Sequence, residues 1–158
     1  MICPICETEN NEKHKYCYEC GSALKGGSRR ELSQEEINKI LDISFMFEIN
    51  DMVDKAIEAY SAILENRPHY ADVHFKLAGA YEAKGQIGKA ISEYKKAISI
   101  NPNYIDSHRK LGELYSDSGL LDESINEYKT LLKIKVKHRY ADVHNNLGVV
   151  YELKGKLK

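Results

Sequence analysis

From Ile37 onward the chain copies itself with a period near 34 residues, most plainly where Tyr70-Ala71-Asp72-Val73-His74 returns as Tyr140-Ala141-Asp142-Val143-His144. A period of that length marks a supersecondary unit that cannot bury its own apolar face and must stack on its copies. Residues 71–104 show the unit most clearly. One amphipathic stretch carries Leu77, Ala78 and Tyr81, the pattern breaks at Gly85, and a second stretch carries Ala90, Tyr94 and Ala97 before Asn101-Pro102. That pattern reads as helix–turn–helix. The small side chains Ala78, Ala90 and Ala97 let the two helices approach closely, and Pro102 cannot donate the next helical hydrogen bond. The expected fold class is all-α, a solenoid of stacked helix pairs.

The array opens at Ser33, which with Glu36 three residues on forms a capping box. Its units run 37–70, 71–104 and 105–140, followed by a half unit over 141–158. The first is marked by Ile43-Ser44, Phe47, Ala56, Tyr60 and Pro68, the third by Leu111-Gly112, Tyr115, Gly119, Ser124 and Tyr128, the half unit by Leu147-Gly148, Tyr151 and Gly155. This pattern resembles the tetratricopeptide repeat over about four fifths of the chain. The resemblance implies a right-handed solenoid whose first helices line a concave groove. Asp51 replaces the turn glycine of unit one, and Ile63 and Leu131 stand where small residues are usual. Unit three lacks the terminal proline and has two extra residues within 133–140, expected to lengthen its second helix or the turn after it. The last helix should leave Val143, Leu147 or Val150 partly uncovered, so it either caps the array or mediates self-association.

Residues 1–24 are a different kind of chain. The only four cysteines stand as two Cys-x-x-Cys pairs, Cys3/Cys6 and Cys17/Cys20, with ten residues between the pairs, which is the spacing of a tetrahedral metal site. So short a segment buries too little to fold alone, whereas structural zinc contributes roughly 10–16 kcal/mol. Four thiolates leave no open coordination position, so the site reads as structural. Iron suits the same cage. A redox dithiol needs only one pair, and disulfides need an oxidising compartment for which the Met1-Ile2-Cys3-Pro4 start carries no export signal; the expected location is cytoplasmic. The segment resembles short zinc ribbons through Cys3-Pro4-Ile5-Cys6, Asn10, Tyr16-Cys17-Tyr18-Glu19-Cys20-Gly21 and Ala23-Leu24, and that resemblance implies Zn²⁺ as the cofactor. Residues 25–32, with Gly26-Gly27-Ser28-Arg29-Arg30, read as a flexible linker.

Charge excludes several function classes. The 158 residues carry 23 basic against 24 acidic groups, so no global field draws the chain to nucleic acid or anionic lipid, and no apolar run is long enough to cross a membrane. The ribbon has Lys13 and Lys15 against Glu7, Glu9, Glu12 and Glu19, a net of −2, which repels phosphate. Only Lys25, Arg29 and Arg30 oppose it. No phosphate loop, nucleophile elbow or His-Glu-x-x-His pair is present, so the chain reads as non-enzymatic. His74, His108 and His144 recur at one register; stacked helices lie too far apart for a shared metal, so they read as residues seating each first helix on its predecessor. Asp72, Asp106 and Asp142 recur at the helix starts, where a carboxylate complements the dipole.

The positions the repeat resemblance places in the groove are Leu41, Phe45 and Glu48, then Phe75, Gly79 and Glu82, then Arg109, Glu113 and Ser116, and finally Asn145, Val149 and Glu152. They suit a partner segment, extended or helical, with an apolar anchor near Phe45 and Phe75 and basic groups toward Glu48, Glu82 and Glu152. Leu41 and Phe45 stand where the family's Lys/Asn/Arg carboxylate clamp would need Lys and Asn, which disfavours a chaperone cofactor. The reading is a protein-interaction adaptor. The alternative is a nucleic-acid-associated protein using the ribbon and basic linker, with the repeats recruiting partners.

Overall fold

The computed structural model describes residues 32–49, 52–134 and 140–156. Cys3, Cys6, Cys17 and Cys20, and with them the ribbon and nearly all of the linker, lie outside the described residues. Seven α-helices and no strand occur among those that are described: α1 (Gln34–Ile49), α2 (Val53–Asn66), α3 (Ala71–Ala83), α4 (Ile87–Ile100), α5 (Ile105–Asp117), α6 (Leu121–Lys133) and α7 (Tyr140–Lys156). Each packs chiefly on its chain neighbours, the contact pattern of a solenoid.

Local chemistry sets the boundaries. The capping box forms as expected: Glu36 N–H donates to Ser33 Oγ at 3.2 Å and Ser33 N–H to Glu36 Oε2 at 2.8 Å. Both α3 and α5 end in a turn whose glycine takes a positive φ, 73° at Gly85 and 75° at Gly119. That conformation lets Gln86 N–H reach back to the Tyr81 carbonyl and Leu120 N–H to that of Tyr115, each at 2.8 Å. Asn101, barred from the helical region by Pro102, closes α4 in an extended conformation.

Second helices bury one stripe each. Ala56, Ala59, Tyr60 and Ile63 on α2, and Ala90, Glu93, Tyr94 and Ala97 on α4, follow the i, i+3, i+4, i+7 spacing of a single helix face. The first helices flanked on both sides, α3 and α5, are buried on two sides. On α5 the residues Ser107, His108, Leu111, Gly112, Leu114 and Tyr115 face both the preceding helix and the following one. Three apolar clusters result, centred on Tyr60, Tyr94 and Tyr128, all nearly inaccessible and 34 residues apart.

Two expectations are narrowed. The helix α6 ends at Lys133 and is no longer than its counterparts, so the extra residues of unit three do not lengthen it. Of the three α7 residues expected to be uncovered, Leu147 is half-buried at the edge of the last cluster, whereas Val143 and Val150 are buried against α6. Seven residues separate those valines, two helical turns, which puts both on the face toward α6. Val149, Tyr151 and Leu153, around that stripe, remain 41–48% exposed.

Candidate functional site

A groove of about 620 Å³ runs between the first helices, floored by α3. It is lined by Glu48 of α1, Val53 of α2, Phe75, Lys76, Gly79, Ala80, Glu82 and Ala83 of α3, Tyr94 of α4 and Lys110 of α5. Four of the residues expected from sequence meet there: Glu48, Phe75, Gly79 and Glu82. The Phe75 ring is held on two sides, 5.4 Å from Tyr94 and 5.3 Å from Tyr104 between centroids, so its position is fixed by packing.

The groove carboxylates are oriented from behind. Tyr60 Oη donates to Glu48 Oε1 at 2.9 Å, and Tyr94 Oη donates to Glu82 Oε2 at 2.8 Å, the same twelve-residue link in consecutive units. Burial first, and the carboxylate second, push both phenols up, so each stays a donor across physiological pH. In unit three Ser116 stands at the corresponding place; there Tyr128 pairs with Asn146 of α7 and is pushed up to about 12, chiefly by burial. This tyrosine–carboxylate link is the feature sequence reasoning missed. Its signal was the repeated spacing of Glu48 to Tyr60 and Glu82 to Tyr94.

The remaining expected positions lie elsewhere or are already engaged. Leu41 is half-buried against the α1–α3 core, and Phe45 is 56% exposed and not part of the groove lining. Arg109 pairs with Asp106 and borders a separate cleft of about 300 Å³ with Ile105, Leu131, Asp142 and Val143. Glu113 lies 3.7 Å from Lys110, Ser116 is half-buried, Asn145 and Val149 are exposed on α7, and Glu152 pairs with Lys156 at 2.7 Å on its own helix.

Two of the three recurring histidines, His74 and His108, seat first helices, whereas His144 is exposed. His74 is buried with Nδ1 2.6 Å from Glu93 Oε2 and Nε2 2.9 Å from the Pro68 carbonyl; His108 repeats this with Glu127 at 2.6 Å and Pro102 at 3.1 Å. In His108 both ring nitrogens face acceptors, and only a doubly protonated ring can donate both bonds. Burial works to lower His108, but Glu127 and the Pro102 carbonyl together hold it above the ordinary imidazole value. No group of three or more His, Cys, Asp or Glu able to hold a metal occurs among the described residues.

Residues 80–119 match a family model described as TPR repeat, and residues 106–138 match one described as tetratricopeptide repeat. Over residues 80–138, then, the helices match the tetratricopeptide repeat. Solved structures agree on the fold. The Sgt2 TPR domain from Aspergillus fumigatus aligns with a TM-score of 0.71 at 20% identity, covering 83% of this chain and 87% of that one. The first TPR of Spaghetti (RPAP3), bound to the HSP90 peptide SRMEEVD, aligns at 0.70 with 16% identity, covering 79% and 98%. MamA aligns at 0.68 with 24% identity, covering 75% and 68%. No curated protein sequence matches the chain. No helix among the described residues is long and apolar enough to cross a membrane.

Proposed function

We propose that this protein is a non-enzymatic adaptor whose tetratricopeptide groove captures a segment of a partner protein, with a structural Zn²⁺ held by Cys3, Cys6, Cys17 and Cys20. The observation that carries the first half is the groove itself. An apolar floor with a ring-locked Phe75 sits beside carboxylates pre-oriented by buried tyrosines, so little side-chain freedom remains to be lost on binding. The RPAP3 repeat bound to its peptide supports the reading by showing a related scaffold in use. Capture from native lysate by the zinc-loaded chain, nuclease-treated, should yield a discrete protein set that Phe75→Ala loses. A set unchanged by Phe75→Ala removes the groove from the reading, and one abolished by nuclease replaces it with nucleic-acid association. For the ribbon, four thiolates suit Zn²⁺, and metal analysis should return one zinc per chain, lost in the Cys3→Ser/Cys20→Ser double variant; a zinc-free wild type ends that assignment.

A further inference from the structure

We infer that the groove is shaped for a mixed-charge segment: one apolar side chain seated over Gly79, a basic residue toward Glu48 and an acidic residue toward Lys76. The inference rests on the groove reading above and specifies its partner. Gly79 lies inside α3, where glycine is less favourable than alanine by roughly 0.5–1 kcal/mol. Packing does not require it. A Cβ at Gly79 would meet only Tyr94 Oη at 3.9 Å, whereas at Gly112 it would fall 2.6 Å from the Tyr128 ring. The missing side chain instead leaves an open floor, one helical turn from both Phe75 and Ala83.

Charge selects the flanks. Four charged residues line the groove, and two of them satisfy each other: Lys110 Nζ donates to Glu82 Oε1 at 3.1 Å while Tyr94 holds the other oxygen. Among the described residues Glu48 has only the Tyr60 hydroxyl as a partner, and exposed Lys76 has no ion-pair partner. One anion and one cation therefore remain for a ligand. A uniformly basic segment would meet Lys76 with like charge, and a uniformly acidic one would meet Glu48 the same way. This differs from the all-basic flanks expected from sequence because Glu82 and Glu152 are already paired within the protein.

The test is selection of random twelve-residue peptides displayed on phage against the full zinc-loaded chain, followed by fluorescence polarisation with a synthetic peptide of the selected sequence. The expected consensus carries a large apolar residue between one basic and one acidic residue. Glu48→Gln and Lys76→Gln should each weaken that peptide about two- to fivefold. Gly79→Leu should weaken it at least tenfold without lowering the melting temperature, and Gly79→Ala by an intermediate amount. Selected peptides of a single charge sign that are still lost with Gly79→Leu overturn the mixed-charge inference and leave the groove reading standing. Peptides indifferent to Gly79→Leu, or no selected peptide at all, overturn both.

Discussion

Gly112 on α5 and Gly148 on α7 hold the same register in consecutive first helices, yet only one is demanded by its surroundings. Around Gly112 the second helix closes tightly: the Tyr128 ring fills the space a Cβ would need, and Ser124 Oγ donates to the Gly112 carbonyl at 2.6 Å. A Cβ at Gly148 would meet no neighbouring side chain within 4 Å among the described residues. The neighbours follow suit. Tyr115 is buried and Tyr151 is 46% exposed; His108 is buried and His144 exposed. The same repeat letters thus carry different physical weight, decided by whether a second helix packs on them. No helix follows α7 among the described residues.

The sharpest way to break this comparison is to add one methyl at each site. Gly112→Ala forces α5 and α6 apart against a rigid buried ring and should cost about 1–3 kcal/mol in denaturant unfolding. Gly148→Ala should stabilise by about 0.5–1 kcal/mol, since only helix propensity changes. Effects of the same sign at both positions would show that α7 is packed as α5 is.

A second, smaller effect tests the histidine seat. His108 faces Glu127 of α6 and the Pro102 carbonyl, with Lys95 of α4 acting on the same carboxylate. Its folded value lies above the ordinary one, so its contribution is complete below about pH 6.5 and is lost as pH rises through the folded value. His108→Gln should flatten that fall and lower stability at pH 6 by the order of 1 kcal/mol. An unchanged pH profile would assign the seat to packing alone.

The smallest effect concerns how α7 is held on α6. Lys154 pairs with Asp122 across the two helices, but the pair is exposed, and Val143 and Val150 supply the buried contact. Lys154→Met should change stability by no more than about 0.5 kcal/mol. A loss of 2 kcal/mol would sharpen the comparison, making charge rather than apolar burial the tie of the terminal helix.

What the amino-acid sequence determined by itself was local or periodic: the helix pairs, the Ser33–Glu36 box, the glycine turns at 85 and 119, and the buried tyrosines at 60, 94 and 128. Those features depend on neighbours within about one turn, or on a face that recurs every 3.6 residues, and both are visible in one dimension. Tertiary structure alone decided which groove charges are free, which face of α7 is covered, and whether a glycine is a necessity or an opening. Glu82 meets Lys110 across 28 residues and Tyr94 across 12, while Phe45, at a groove register, misses the groove lining. Such pairings depend on the rotation and separation of packed helices, fixed by every side chain in the interface at once.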